Sequence, residues 1–404
     1  MTTERSRSGV SYADLLTNKN FGIIILVSVS ATIGTLLPPA LPGLATGLGV
    51  SEGTIGYVIT VYKLPSILII PVAAAVADIY GRRTVLLPSL ILFGGAGTIM
   101  FFAQSFSTLL FLAVVLGTGA AAIYPLTVTL LGDFFEGRQN SAGQGIRVGM
   151  IGLGMIFVPV ATGYLAEIRW NYPFILFLFV FPVVGIVHLS LSEPLPNKID
   201  ERTLRSAVTE YAWTIRKKIS EPSLAILVFG GFTRGFTRYA LVIFVPLFAV
   251  STLEASLFQV GLLLSIPGAV YVVASPFSGE LLNWFKRKQV LFASFFVSGF
   301  ALFLLPFVNN LFVLAILILC HTAGDAVLDP VMKGTVTSLT DNEHRAGIVN
   351  TLYVLKRIGQ TTAPAVLGFI LATFNYSIVF ASSAVFVGIY LLLFAFLFSD
   401  TVLS

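Results

Sequence analysis

The stretch FGIIILVSVSATIGTLLPPALP, residues 21–42, runs for 22 positions without a charged side chain. At 1.5 Å per residue, a helix of that length crosses a hydrocarbon core of about 30 Å. Residues 291–308, LFASFFVSGFALFLLPFV, are equally free of charge. Inside lipid each backbone amide and carbonyl must be satisfied within the protein, so isolated apolar runs of this length are read as helices. Hydrophobic residues make up 56% of the 404-residue chain and charged residues 11%, against roughly a quarter charged in a soluble domain. No single core hides that much apolar surface, so the bilayer is the solvent for most of the chain.

Working outward from these runs predicts an all-α integral membrane protein with about twelve spans. They cover 20–41, 54–76, 84–103, 107–131, 141–166 and 172–192, then 223–250, 257–281, 288–307, 311–337, 345–372 and 376–399. The domains expected are a six-helix bundle at 1–192, a linker at 193–222 and a second bundle at 223–404. The linker is rich in charge, and Leu204, Val208, Tyr211 and Ile215 are spaced for an amphipathic helix on the membrane surface.

Net charge is +5, but the basic residues sit at intervals between apolar runs and form no patch, so nucleic acid is not an expected partner. Of the 24 Lys and Arg, sixteen fall in the termini and loops of one side, and only Arg169 falls in a loop of the other. By the positive-inside rule both termini are expected in the cytoplasm. The first apolar run is too long for a signal-peptide core and is read as a retained helix. Cys320 is the single cysteine, which excludes an intrachain disulfide. No GxxxxGK[ST] loop, metal-ligand cluster or nucleophile elbow occurs, so no cofactor, metal or enzymatic role is expected. The sequon at Asn375 lies in a very short external turn and is not read as a site.

The two halves repeat at a constant offset of 205 residues. Gly56 maps to Gly261, Pro71 to Pro276, Arg82 to Arg287, Gly119 to Gly324, Pro125 to Pro330, Gly154 to Gly359, Pro159 to Pro364 and Gly163 to Gly368. Eight ordered matches without a gap indicate two six-helix repeats around a central path.

The segment from Ala74 to Arg83, AAVADIYGRR, resembles the loop signature of the major facilitator superfamily between its second and third helices. In that family the Asp matching Asp78 helps to hold one state of an alternating-access cycle. The resemblance therefore implies a conformational-switch role for Asp78, Gly81, Arg82 and Arg83; topology anchoring alone is the competing reading. The second half carries a worn version, GELLNWFKRK, from Gly279 to Lys288. Residues 154–163, GMIFVPVATG, are similar to the antiporter signature of the family's fifth helix, with Val158 and Thr162 in place of two glycines. Gly154, Pro159 and Gly163 thereby imply a bendable seam and antiport; a generic packing face would look the same. Residues 170–174, WNYPF, resemble the opening of the family's sixth helix. One departure stands out: the helix 4 Arg of proton-coupled drug exporters is absent from Leu112-Ala-Val114.

Ionisable groups at bilayer depth cost about 2.5–3.5 kcal/mol on insertion scales and normally face a partner or a cavity. Seven cations fall there, Lys63, Arg147, Arg234, Arg238, Lys333, Lys356 and Arg357, against Asp325 and Asp329. Arg234 and Arg238 share one face of span 7 and can clasp a carboxylate or phosphate, or pair with the aspartates. Lys63, Arg147, Arg234, Arg238 and Lys356 are the substrate-binding candidates, although Lys356 can also snorkel. His321, Asp325, Asp329 and Lys333 recur every fourth residue. Asp325 and Asp329, one turn apart, are the proton-coupling candidates; an intrahelical ion ladder is the alternative. His188 is read as an interfacial residue.

The expectation is a secondary transporter of a small organic solute, with protons and the lipid bilayer as partners. The chain is expected to act as a monomer in the cell membrane, and antiport (export) is favoured by the helix 5 resemblance. Uptake or facilitated passage of an organic anion is the alternative favoured by the cationic interior. From another class, a transporter-like sensor or scaffold remains open.

Overall fold

A computed structural model describes residues 12–194, 221–339 and 345–398. The predicted amphipathic helix, like most of the linker, lies outside the described residues. Among the described residues, twelve long helical segments follow a short helix at Tyr12–Thr17. The first six are α1 (Lys19–Leu48), α2 (Glu52–Tyr80), α3 (Arg82–Phe102), α4 (Phe106–Phe134), α5 (Gly137–Ile168) and α6 (Tyr172–Ser190). The second six are α7 (Pro222–Leu253), α8 (Leu257–Trp284), α9 (Arg287–Phe307), α10 (Leu311–Ser338), α11 (Arg345–Thr373) and α12 (Tyr376–Leu397). Among the described residues, eleven helices are both long and apolar enough to cross a membrane. The remaining segment, α11, has 29 residues but carries Lys356, Arg357 and Gln360, whose polarity sets it apart.

Several ends differ from the sequence reading, for local reasons. The Asn18 side chain caps α1 by accepting the N–H groups of Asn20 at 2.9 Å and Phe21 at 3.3 Å. The helix tightens to a 3₁₀ turn at Thr32–Leu36 and resumes over Leu37–Leu48. Span 1 was expected to stop at 41. However, Pro38 and Pro39 occupy the first turn of the resumed helix, where an absent N–H leaves nothing unpaired. The stop comes instead at Gly49, whose φ of 64° breaks the helix. Likewise α6 opens as a 3₁₀ segment at Tyr172–Phe179 before becoming α-helical.

Two ends of the bundle are distinguished below: the basic end, bearing Lys19, Arg82 and Arg287, and the far end, bearing Leu48 and Leu253. The two halves meet along α5 with α8, α2 with α11, and α1 with α7. Glycines set the closeness of these seams near the far end. A methyl placed on Gly163 would lie 2.5 Å from the Leu257 carbonyl, and one on Gly261 would lie 2.5 Å from the Pro159 carbonyl. The repeat-related pair, Gly56 and Pro364, also face each other, more loosely. Beside them, a methyl on Gly53 would come within 2.8 Å of the Gly368 carbonyl. Tyr376 donates its hydroxyl to Glu52 across the same end. Toward the basic end the packing loosens: methyls on Gly145 and Gly149 of α5, or Gly279 of α8, meet no atom within 4 Å. Among the described residues, α5 and α8 are therefore packed together at the far end and spread at the basic end.

Candidate functional site

Between the halves lies a cavity of about 260 Å³, walled by α1, α2, α4 and α5 on one side and α7, α8 and α11 on the other. Most of its lining is apolar or small. Three cations reach it: Lys63 of α2, Arg238 of α7 and Arg357 of α11. Aromatic rings lie beside them. The Lys63 ammonium stands 4.5 Å from the Tyr62 ring centroid and 5.7 Å from that of Tyr239, within cation–π range. Tyr124 completes the aromatic lining from α4. Among the described residues, no carboxylate comes within 4 Å of the Lys63 or Arg357 cation. The Arg357 guanidinium instead donates to the Gln360 side-chain oxygen at 3.2 Å. An apolar chamber with unneutralised cations attracts negative charge, because desolvated guanidinium and ammonium groups gain most from an anionic partner.

Behind this cavity, inside the second half, the two aspartates of α10 gather Arg234, Lys333 and Lys356, together with Arg238. Arg234 ion-pairs with both Asp325 and Asp329. The side chains of Arg234 and Asp325 are each only 4% exposed. Arg238 reaches Asp325 at 3.3 Å and stacks on Tyr271, its guanidinium 4.7 Å from the ring centroid. Tyr271 of α8 donates its hydroxyl to Asp325 and accepts from Arg234 at 3.1 Å. Asp329 is also held by Lys333 and, at 3.3 Å, by Lys356. Four cations thus surround two carboxylates. Arg238 belongs to both groups: it touches Asp325 and lines the cavity.

The sequence-predicted residues divide accordingly. Lys63 and Arg238 line the cavity, whereas Arg234 and Lys356 are engaged with the aspartates outside its lining. Arg147 is buried in the first half. It donates to Gln144 at 3.0 Å and Thr127 at 3.2 Å, and its guanidinium lies 4.8 Å from the Tyr124 ring, so it supports the wall without lining it. Tyr62, Tyr124, Tyr239 and Tyr271 were missed, and Arg357 was noted only as a membrane cation. The four-residue step from Lys333 to Asp329 does form the ladder that its spacing allows. His321 is buried one turn from Asp325, bonded to Ser298 of α9 through Nδ1.

The loop between α2 and α3 forms a second network at the basic end. Gly81 adopts φ 100°, and a methyl there would sit 2.7 Å from a Glu193 carboxylate oxygen. Only glycine fits both restrictions. That carboxylate caps α3 by accepting the Arg82 N–H at 2.8 Å and the Arg83 N–H at 2.9 Å. The Arg82 side chain pairs with Asp78 and, at 3.0 Å, with Asp133 of α4. Arg83 donates to the His188 carbonyl on α6. In the second half, Arg287 donates to Ser338, the position 205 residues beyond Asp133, and Lys288 donates to the Ala395 carbonyl at 2.9 Å. Glu193 and Asp133 gave no motif by which the sequence could single them out.

Comparison with known proteins adds to this geometry. The family model described as Major Facilitator Superfamily matches residues 23–229 and 227–403. The bacillibactin exporter of Bacillus subtilis (strain 168) is 26% identical over 396 residues, covering 93% of this chain and 96% of the exporter. The multidrug transporter protein MdtP of the same organism is 30% identical over 154 residues, a stretch that spans 38% of this chain and 28% of that protein. Among solved structures, the nucleoside transporter NupG (D323A mutant) superposes with a TM-score of 0.80 at 14% identity, covering 95% of this chain and 100% of that one.

Proposed function

Starting from the chain's membership of the Major Facilitator Superfamily, a family of multi-pass membrane transporters and not of enzymes, we propose that it exports a small organic anion by alternating access. The observation that carries the reading is the central cavity, where Lys63, Arg238 and Arg357 converge on an apolar chamber and Lys63 and Arg357 have no carboxylate partner. The solute's negative group sits against these cations and its body against Tyr62, Tyr124 and Tyr239. The export direction draws on likeness to a bacillibactin exporter and a multidrug transporter.

In this reading the basic end faces the cytoplasm of a cell membrane, and the described conformation admits solute from inside. The single chain encloses the whole cavity, which supports action as a monomer. Proton antiport would use Asp325 and Asp329. A proton arriving from outside neutralises one carboxylate, releases Arg238 or Lys356 from it, and changes the charge that the cavity offers the anion. The coupling step therefore lies in exchanging partners around Arg238, which belongs to both groups. In the described conformation both carboxylates are fully ion-paired, and this favours a second reading, anion exchange or facilitated passage without protons.

A thermal-unfolding panel on detergent-purified protein tests the anion reading. Organic anions, cations and neutral amphiphiles are compared at equal concentration. A ligand that binds only the folded state, at a hundredfold excess over its Kd, stabilises by about 2.7 kcal/mol. Anions are expected to raise the unfolding temperature, and the rise should vanish in Lys63→Gln and Arg357→Gln. Stabilisation by lipophilic cations alone refutes the reading.

A further inference from the structure

A second concavity lies on the opposite side of the α1–α5 wall. It is a groove of about 690 Å³ formed by α1, α5 and α6. Its lining is carbon almost throughout. The two hydroxyls present are turned inward: Ser30 donates to the Val27 carbonyl at 2.8 Å and Thr32 to the Val29 carbonyl at 2.6 Å. Ile33 and Val183 form a buried floor, whereas Phe157 and Phe179 at the rim are 66% and 67% exposed, so the mouth faces the bilayer.

Thr32 lines both this groove and the central cavity. It stands against Gly154, where a methyl would come within 2.3 Å of the Thr32 hydroxyl oxygen, so the partition is one threonine pressed on one glycine. The partition also coincides with the 3₁₀ turn at Thr32–Leu36, where α1 leaves its regular hydrogen-bond pattern. Met155, next to Gly154, faces the cavity, while Leu153 on its other side faces the groove. A chamber with cations on one side of this partition and an apolar, lipid-facing groove on the other are together complementary to one molecule with a charged head and an apolar tail.

We propose that the transported anion is an amphiphile that enters laterally from the bilayer, its apolar tail lying in the α1–α5–α6 groove and its head passing the Thr32–Gly154 partition to the cations. This rests on the organic-anion reading above and names the substrate class and its route.

The test uses the full chain in proteoliposomes and two permanently charged anions with a common head, benzenesulfonate and 4-octylbenzenesulfonate. Ala161→Trp, on α5, and Val29→Trp, on α1, each fill the groove from residues outside the cavity lining. Each is expected to lower octylbenzenesulfonate transport about tenfold, the effect of displacing two methylenes from apolar surroundings, and to leave benzenesulfonate within about twofold. Retained benzenesulfonate transport also shows that the variant is folded. If the two fillings affect both anions equally, or affect neither, the groove holds ordinary lipid and lateral entry is overturned while the anion reading stands. If the unaltered protein moves neither anion, or moves both without need of Lys63, the anion reading itself falls and takes this inference with it.

Discussion

Arg234 and Asp325 form an ion pair across α7 and α10 in which each side chain is only 4% exposed, so neither charge has water to fall back on. Removing one member of such a pair is far more damaging than removing both, because the survivor is left charged and dry. Asp325→Leu, which leaves Arg234 with Asp329 alone and removes the carboxylate that Arg238 meets, is expected to lower stability by about 3–5 kcal/mol. The double variant Arg234→Leu/Asp325→Leu should recover most of that loss. Thermal unfolding in a single detergent, read as a double-mutant cycle, measures the coupling. A loss in the double variant equal to the sum of the Arg234→Leu and Asp325→Leu losses would show that the pair does not act as a unit.

Lys63 has no such obligation. It faces the cavity beside two tyrosine rings and pairs with no carboxylate among the described residues. Lys63→Gln should therefore leave the unfolding temperature near that of the parent while weakening anion binding about tenfold or more, the worth of one hydrogen bond to a charged group. Isothermal titration with benzenesulfonate reads the affinity directly. A large loss of stability with unchanged affinity would reverse the assignment.

Asp329 is the hub for Arg234, Lys333 and Lys356. If it carries the proton, Asp329→Asn holds the site permanently neutral, and an acid-outside gradient no longer accelerates export. Solute exchange at equal pH on both sides should persist. The assay is proteoliposome efflux with and without a protonophore. Undiminished acceleration in the variant would move the proton to another group, Asp325 first, and no acceleration in the parent protein would leave the proton-independent reading.

The far-end seam gives a conformational prediction. A side chain at Gly163 collides with the Leu257 carbonyl, 2.5 Å from where its first carbon would sit. Gly163→Val is expected to disfavour the closed far end and shift the population toward the opposite state. Spin labels at Ser51 and Thr252, exposed on either side of that end, report it as a longer distance distribution. An unchanged distribution would mean that the seam yields without parting.

The architecture was legible because bilayer thickness fixes span length and because the repeat left its glycines and prolines at one offset. Placement on the helices was legible too, and all seven cations read as intramembrane lie on long helices. Direction around each helix was not. Arg234 and Arg238 share a face as their spacing requires, yet a difference of one turn puts the first wholly among aspartates and lets the second reach the cavity. Arg147 and Lys356 have the same chemistry as Lys63, but the cavity lining excludes them. Tyr62, Tyr239 and Tyr271 carried no signal, since a tyrosine in an apolar run reads as packing until its neighbours are known. Span 1 ended late because Pro38 and Pro39 sit where a helix tolerates proline, a distinction that needs the turn at Thr32–Leu36 to be seen first.

The exchange of Asp133 for Ser338 at matching points of the repeat has a mechanical meaning. In the first half Arg82 is clamped by two carboxylates while Glu193 ties α3 to the segment after α6; in the second half, among the described residues, Arg287 meets a hydroxyl and no carboxylate. Two bundles of the same plan therefore differ in ion pairing at the basic end, among the described residues. In the alternating-access reading proposed above, the first half is expected to turn as a block and the bending to fall to the second, the half that also contains the Asp325 and Asp329 ion pairs. In that reading the repeat supplies the axis of the motion, and the difference at one carboxylate is expected to decide which side of it deforms.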